Sequence, residues 1–350
     1  MMKYAPIMIT TLNRKTHLER CLLSLSKNTD ADKTDVFVSV DYPPSKKYEE
    51  GYKAVIDFLK NSTVGKEFKS FTVIYQKENL GPSGNSKYLR ELICSKYDRY
   101  ISTEDDNEFS TNFIQYMNSG LDIFENNMHV TNICGCKDTE YVCAESNVLA
   151  SKLYPAYGVG SWCSKEEQLR LLIPQKLLDR KTYSKYNLLR LKKQNRVLFN
   201  IYMTEVLLGN RKLYWNDGEL NIIDSVRSLY FHFTDSYCIV PAISKSRTWG
   251  NDGTGVNMKN REDIDPKIKW PLDSEKQFTY CVAGEIIKNK SIYNETQVDF
   301  IEENYEIGNR YMNTVNTLKF NLKADIYYAL LALCNFNLIK AKKIKEKLFI

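Results

Sequence analysis

Four short β-type runs alternate with helical segments over residues 6–124, and this alternation restricts the fold more than any other feature of the sequence. The β-type runs are residues 6–12, 35–41, 71–76 and 99–108. Segments with apolar residues at helical spacing follow each run, at 16–28 with Thr16 as a candidate N-cap, at 47–60, from the turn at 78–85 to Lys96, and at 113–124. Strands joined in this way predict a mostly parallel, doubly wound α/β sheet flanked by helices.

The composition argues against several other classes of protein. Hydrophobic residues make up 43% and charged residues 26% of the 350 positions, which is typical of a globular chain. The 49 Lys and Arg residues exceed the 43 Asp and Glu residues by only six, too few for a general nucleic-acid binder. We find neither the roughly 18 consecutive apolar residues of a membrane span nor the cleavage site of a secretory leader. With only three histidines, the chemistry is expected to rest on carboxylates.

The nine cysteines do not form a recognisable framework. Their number is odd, and no Cys-x-x-Cys pair suggests zinc. Cys134 and Cys136 would share one face of a strand. We therefore expect buried or unreactive thiols and a reducing, cytoplasmic compartment.

Polar residues follow each predicted strand, where ligands bind in sheets of this kind. These residues are Thr10, Thr11, Asn13 and Arg14 after the first strand, Asp41 after the second, Asn79 to Asn85 after the third, and Glu104, Asp105 and Asp106 after the fourth. No Gly-x-Gly-x-x-Gly follows the first strand, which argues against a dinucleotide fold.

Glu104, Asp105 and Asp106 are the strongest local signal. Adjacent carboxylates repel one another unless a cation or donors offset the cost. Mg²⁺ or Mn²⁺ commonly binds one or two carboxylates together with substrate phosphates. The alternative is a solvated acidic turn before the helix that starts near Ser110, but the position at a strand end favours the metal.

Three weaker signals each keep two interpretations. Asp41 could accept from a base or pair with Arg14, or it could be a turn aspartate before two prolines. Asp217 could be a catalytic base or a helix N-cap. The segment 245–258, which contains Arg247 and Thr248, could close over phosphates or be an ordinary surface loop.

Taken in order, these segments resemble the GT-A-fold nucleotide-sugar glycosyltransferases, most of all N-acetylglucosaminyltransferase I and bacterial family 2-like enzymes. The segments that carry the resemblance are PIMITTLNR, VFVSVD, ENLG, TEDD, GVGSW (158–162), YWND (214–217) and PAIS (241–244) with Arg247, Thr248 and NDGTG (251–255). The resemblance covers residues 5–258. Asn216 and Ser161 depart from the family pattern on the acceptor side.

The resemblance implies an inverting, metal-dependent transfer of a sugar, with a role for each matching residue. Asp106, with Asp105, would hold Mn²⁺ or Mg²⁺, and Asp217 would be the general base. The nucleotide-sugar, most readily a UDP-sugar, would be bound by Thr10, Asn13, Arg14, Asp41, Asn79, Glu104 and Asp105. Acceptor and loop contacts would come from Trp162, Trp215, Arg247 and Thr248.

The resemblance also implies a domain organisation and an acceptor. Residues 1–258 would form the GT-A domain, with a nucleotide-binding half at 1–110 and an acceptor half at 111–258, and residues 259–350 a C-terminal extension. The acceptor would be a glycan or lipid-linked glycan of bacterial surface polysaccharide synthesis. Two alternatives stay open: a sugar nucleotidyltransferase, although PIMITTLNRKTH lacks the expected glycine-rich motif, and a non-catalytic glycan- or nucleotide-binding scaffold.

The C-terminal 33 residues are strongly basic. From Leu318 onward, seven lysines and two acidic residues follow or flank an apolar stretch at 326–339. A basic amphipathic helix at 318–350 could lie on an anionic cytoplasmic leaflet as a peripheral membrane contact. It could equally dock on the catalytic domain or on a second subunit.

Overall fold

The computed structural model describes residues 3–137, 146–209, 215–216, 219–220, 224–255, 265–282, 285–286 and 317–348. The chain divides into two compact units. The first comprises Met1–Ala150, Pro155–Lys165 and Cys238–Phe300, and the second comprises Ser151–Tyr154, Glu166–Tyr237 and Ile301–Ile350. This division differs from the predicted boundary at residue 258, since residues 166–237 group with the C-terminal helices.

An eight-stranded sheet with the order β3-β2-β1-β4-β8-β6-β11-β7 organises the fold. Its strands are β1 (Ile7–Thr11), β2 (Asp35–Val40), β3 (Ser70–Tyr75), β4 (Arg99–Glu104), β6 (Val130–Cys134), β7 (Val148–Ser151), β8 (Val159–Trp162) and β11 (Tyr237–Pro241). Strands β3, β2, β1 and β4 pair in parallel, whereas β8 runs antiparallel to both β4 and β6. The predicted α/β class, a mostly parallel sheet with helices around it, is confirmed.

Helices connect the parallel strands, as their geometry requires. They are α1 (Lys15–Ser26), α2 (Glu49–Asn61), α3 (Gly81–Cys94) and α4 (Phe113–Ile123). Helix α1 buries Leu18, Cys21, Leu22 and Leu25, the residues whose spacing predicted it. Thr16 is not its N-cap: Arg14 takes that position, without a side-chain capping bond.

Two segments that look like turns or loops in the sequence are strands in the structure. Residues 159–162 form the buried strand β8, where a Cβ on Gly160 would lie 3.3 Å from Leu121. The loop predicted at 245–258 begins with β12 (Ser246–Thr248), which pairs antiparallel with β5 (Asn107–Phe109). The first unit also contains α9 (Pro266–Lys269) and the short antiparallel pair β13 (Cys281–Val282) and β14 (Glu285–Ile286).

Two of the cysteines are not free thiols. Cys94, at the end of α3, and Cys163, directly after β8, form a disulfide. The expectation of unreactive thiols is wrong for this pair, and a disulfide is more typical of an oxidising compartment than of a reducing one. Of the other cysteines that the structure describes, Cys281 is half-buried and the rest are buried, as expected.

The second unit is mainly helical. Its helices are α5 (Cys163–Leu178), whose first residues belong to the first unit, α6 (Lys185–Gln194), α7 (Arg196–Ile201), continued by a π-helical turn at 202–207, α8 (Asp224–His232), α10 (Thr317–Leu333) and α11 (Leu338–Leu348). A two-residue ladder joins β9 (Trp215–Asn216) to β10 (Glu219–Leu220).

The basic C-terminal segment forms two helices rather than one. The helix is interrupted at Asn335 and Phe336, whose φ angles are +50° and +56°. Helix α10 buries Ala324, Tyr327 and Leu331. Arg196 of α7 donates to the Asn321 carbonyl at 3.0 Å, and Asp325 pairs with Lys192 and Arg196. The predicted docking of this segment on helices of its own chain is therefore observed. Within the described ranges, no helix has the length and apolar character needed to cross a bilayer.

Candidate functional site

The polar ends of the parallel strands meet at one edge of the sheet. Thr10 is in register with Ser39 of β2 and with Glu104 of β4. The residues that follow these strands therefore gather together, as the sequence predicted.

A network of four side chains forms the centre of this edge. The Arg14 guanidinium donates to Asp106 Oδ2 at 2.9 Å and also to Asp105 Oδ1. The other oxygen of Asp105 accepts from the Thr11 hydroxyl at 2.7 Å. The side chain of Asp105 is only 2% exposed, that of Asp106 10% and that of Arg14 16%. The cluster is thus a buried ion-pair network, and the interpretation as a solvated acidic turn is wrong.

Burial and charge act in opposite directions in this network. Burial raises the pKa of Asp105, and the Arg14 charge only partly offsets that rise. Burial also disfavours the charged form of Arg14, but the negative charges of Asp105 and Asp106 outweigh it and the pKa of Arg14 is raised. Arg14 therefore stays cationic at any pH at which the protein is folded.

Asp41 organises the neighbouring strand end. One of its carboxylate oxygens accepts from the backbone N–H groups of Tyr42 and Leu80, both at 2.9 Å. The other accepts from the Asn79 side chain at 3.2 Å, and Asn79 also donates to the Tyr42 carbonyl. Burial raises the pKa of Asp41. Asp41 thus fixes the loop before α3, while the guanidinium of Arg14 contacts Asp105 and Asp106 instead of Asp41.

The loop after β12, residues 249–255, lies directly on the carboxylates. The Trp249 backbone N–H donates to the Asp106 carbonyl at 2.8 Å. A Cβ on Gly250 would lie 2.4 Å from Asp106 Oδ2, and one on Gly255 would lie 3.3 Å from Arg14 Nη1. His17 of α1 contacts Asp252 at 3.2 Å. The glycine-rich loop therefore packs against the carboxylate network, and its closure over phosphates stays a prediction.

Glu108 of β5 anchors that loop and was not singled out by the sequence. Its Oε2 accepts from Arg247 Nε at 2.8 Å and from Trp249 Nε1 at 2.7 Å. Burial would raise the pKa of Glu108, but these two bonds outweigh it and the pKa is lowered. Thr248 accepts from the Gly250 N–H at 3.1 Å. Arg247 and Thr248 thus hold the loop in place from its base.

Asn251 is the second residue that the sequence did not single out by its chemistry. It is 5% exposed, and neither its amide nitrogen nor its oxygen has a partner among the described residues. Buried polar groups are almost always hydrogen-bonded. An orphan amide directly after Gly250 in the chain fits a ligand that supplies the missing partners.

The remaining predicted nucleotide residues border the network. Thr10 is half-buried, whereas Glu104 is exposed and contributes to the raised pKa of Arg14. Helix α2 approaches Asn13 closely, since a Cβ on Gly51 would lie 2.4 Å from the Asn13 carbonyl oxygen.

Trp162 does not join this site. It is opposite Arg99 in the antiparallel register, at the start of β4, and therefore at the edge of the sheet away from Asp105 and Asp106. It is 4% exposed, donates to the Leu121 carbonyl at 3.1 Å and carries the Lys165 ammonium over its ring at 3.8 Å. The prediction that Trp162 contacts the acceptor is not supported, because the reversal of β8 places it in the core.

The structure says less about the other acceptor residues. Trp215 lies in the two-residue strand β9 of the second unit, paired with Leu220. Asp217, the predicted base, lies outside the described residues, so its role stays a prediction.

The oxygen atoms of the network are suitable ligands for a hard divalent cation. Asp105, Asp106 and the Thr11 hydroxyl offer the oxygen ligands that Mg²⁺ and Mn²⁺ prefer, and the cationic group that now stands beside them is Arg14. Among the residues that the structure describes, no three or more His, Cys, Asp or Glu side chains form a cluster that could hold an ion alone. A metal here would need further ligands from a substrate.

Comparison with known proteins does not define a family for this chain. No protein-family model matches it, and no curated protein sequence is similar to it. TarS of S. aureus (residues 1–349) aligns with 12% identity and a TM-score of 0.33, over 48% of this chain and 50% of TarS. Mouse xyloside xylosyltransferase 1 aligns with 10% identity and a TM-score of 0.31, over 54% of this chain and 75% of the mouse protein.

A Bacillus anthracis protein described as a glucose-1-phosphate thymidylyltransferase aligns with 14% identity and a TM-score of 0.28, over 48% of this chain and 74% of its own. The matched region of this chain spans about half the length of TarS 1–349. Alignments at these TM-scores establish nothing about the function of this chain.

Proposed function

We propose that this protein is an inverting, metal-dependent glycosyltransferase that moves a sugar from a nucleotide-sugar, best a UDP-sugar, to a glycan or lipid-linked glycan. The observation that supports the proposal is the buried Asp105–Asp106 pair beneath the 249–255 loop, at the carboxyl end of parallel strands. Two carboxylates, an arginine and an orphan amide are suited to a cation and a diphosphate that bind together.

In this proposal each residue at the edge has a distinct task. Asp41, held by Leu80 and Asn79, would orient the nucleobase, and Glu104 the ribose or sugar. Asp105 and Asp106 would hold Mn²⁺ or Mg²⁺, which when bound neutralises charge on the leaving diphosphate. The 249–255 loop would exclude water from the reacting atoms, with Asn251 donating to the diphosphate or sugar.

We assign the proton transfer to Asp217, in keeping with the family resemblance. Its carboxylate would take the proton of the acceptor hydroxyl as that oxygen attacks the anomeric carbon, and one displacement from the opposite face inverts the configuration.

A panel of UDP-, GDP-, CMP- and dTDP-sugars, with and without Mn²⁺, tests the donor class by thermal shift. We expect the largest stabilisation with a UDP-sugar and Mn²⁺ together, because a ligand that binds only the folded state raises its melting temperature. If no nucleotide-sugar shifts the transition, the proposal fails. Binding without turnover would favour the scaffold, and synthesis of a sugar nucleotide from a nucleoside triphosphate would favour the nucleotidyltransferase.

Removing one carboxylate tests the metal assignment. We expect Asp106→Ala to abolish the strengthening of UDP binding by Mn²⁺, because only Asp105 would then face the ion. Asp32→Ala, which removes an exposed carboxylate, is the matched control and should behave like the parent. Calorimetric titration with UDP in Mn²⁺ and in EDTA gives both affinities. An unchanged response to Mn²⁺ in Asp106→Ala would refute the assignment.

A lipid-linked acceptor would bring the enzyme to an anionic leaflet, and the exposed face of α10 suits that contact. Leu318, Leu322, Ile326 and Leu333 are 81%, 59%, 42% and 82% exposed and lie on one side of this helix. The lysines of α11 would add roughly 1 kcal/mol each near such a surface.

Co-sedimentation with phosphatidylserine vesicles tests the membrane contact on the full chain. We expect Leu318→Glu/Leu322→Glu to pellet less than the parent, because the two carboxylates replace apolar anchors and repel the anionic lipid. Leu171→Glu, at a 64% exposed position on α5, is the control. Equal pelleting of all three proteins, or of none, would remove the membrane contact from the proposal.

A further inference from the structure

The Arg14 guanidinium occupies the place of a cation in the described site. It spans both carboxylates, with Nη1 donating to Asp106 at 2.9 Å and Nη2 to Asp105. Buried carboxylates this close together repel one another unless a positive charge compensates them. Arginine supplies that charge permanently, because its guanidinium does not lose a proton in proteins.

We propose that Arg14 is an internal counter-ion, which occupies the carboxylate pair until a divalent ion and a nucleoside diphosphate arrive, and then transfers to the diphosphate. The metal and the nucleotide consequently bind cooperatively. This inference rests on the proposed function, because it takes both ligands to bind at this edge of the sheet.

A divalent ion would compete with Arg14 for the oxygens of Asp105 and Asp106. A divalent ion binds carboxylate oxygens directly, at about 2.0–2.1 Å for Mg²⁺. Asp105 Oδ1 and Asp106 Oδ2 already accept from Arg14, and Asp105 Oδ2 accepts from Thr11. A guanidinium and a divalent ion at the same oxygens also repel one another. An ion that binds Asp105 Oδ1 or Asp106 Oδ2 would therefore displace Arg14 from that oxygen.

The displaced Arg14 guanidinium would need another anionic partner. Its side chain is only 16% exposed, so an ion that binds alone leaves a largely buried arginine without its anionic partners. A diphosphate replaces those partners, since arginine forms paired, charge-assisted hydrogen bonds with phosphate oxygens. Gly250 and Gly255 let the loop pack directly on the network, since a Cβ there would lie 2.4 Å from Asp106 Oδ2 and 3.3 Å from Arg14 Nη1.

Mn²⁺ binding by calorimetry, with and without saturating UDP, measures the coupling directly on the wild-type protein. We expect UDP to tighten Mn²⁺ binding by about tenfold or more, and Mn²⁺ to tighten UDP binding by the same factor, as linkage requires. Because this readout is an affinity, it does not depend on catalytic turnover.

Two variants that each lose one positive charge distinguish a specific effect of Arg14 from a general effect of net charge. Arg14→Gln frees the carboxylates, so Mn²⁺ should bind more tightly without UDP and the coupling factor should fall toward one. Lys15→Gln removes the next positive charge, which pairs with Glu19, and should keep the wild-type coupling. Arg14→Lys, which keeps the charge but not the two-pronged geometry, should be intermediate.

The outcomes distinguish this inference from the function on which it rests. The same coupling factor in Arg14→Gln and the wild type overturns the inference and leaves the metal assignment intact. Equal Mn²⁺ affinity with and without UDP in the wild type overturns both, since linkage then requires that Mn²⁺ does not strengthen UDP binding. Should Arg14→Gln fail to fold, Arg14→Lys decides, because a coupling factor equal to that of the wild type would overturn the inference.

Discussion

Asp217→Asn is expected to lower kcat by about 10²–10⁴-fold, the range typical of lost general-base catalysis. Asparagine keeps the size of the side chain but cannot accept the proton of the acceptor hydroxyl. Because the base acts in the transition state and not on the donor, the affinity for the nucleotide-sugar should stay unchanged. Asp235→Asn, at an exposed position of the same unit, is the matched control.

Steady-state kinetics and donor titration together decide the role of Asp217. Near-normal turnover of Asp217→Asn would exclude Asp217 as the base; the N-cap alternative is already excluded, because α8 begins at Asp224. A fall in donor affinity without a fall in kcat would make it a binding residue instead. NMR of the product should show the inverted anomeric configuration, since no covalent intermediate is proposed.

Arg227→Met should destabilise the protein by about 3–5 kcal/mol, the cost of removing one partner of a buried ion pair. Arg227 Nη2 donates to both oxygens of Glu166, at 2.6 and 2.7 Å, and the two residues are 4% and 5% exposed. The Arg227 guanidinium also lies 4.8 Å from the centre of the Tyr154 ring. Methionine fills similar space but leaves the Glu166 carboxylate buried without this partner.

Urea denaturation of three variants measures this cost. Arg170 is the control: its Nε lies 3.8 Å from Glu166, and its side chain is 31% exposed. Arg170→Met should therefore change the free energy of unfolding by less than about 1 kcal/mol. Glu166→Gln/Arg227→Met should recover much of the stability lost in Arg227→Met, because no buried charge is left. A small effect of Arg227→Met alone would show that water reaches the pair.

The sequence predicted strands β1 to β4 and the helices between them well because local signals there are strong. Residues 6–12 and 35–41 are apolar runs that end in polar residues, and parallel pairing then brings Arg14, Asp41 and Asp106 to one edge. Their convergence followed from topology alone. The pairing of Arg14 with both Asp105 and Asp106 did not, because side-chain contacts depend on three-dimensional packing.

The failures share a physical origin in long-range pairing. Strand β12 has three residues with no apolar pattern, and only its pairing with β5, far away in the chain, makes it a strand. Gly160 and Ser161 give β8 the composition of a turn, although all its residues are buried. Glu108 and the Cys94–Cys163 disulfide likewise depend on partners that sequence spacing does not reveal.

Gly250 contributes no functional group, yet its place in the fold restricts which residues can replace it. Glycines are usually required where φ is positive, as at Gly81, Gly158 and Gly253, but the described backbone at Gly250 is not of this kind. Here the requirement is spatial, because even a methyl group would lie 2.4 Å from Asp106 Oδ2. We therefore expect natural variants of this protein to change Gly250 and Asp106 together or not at all.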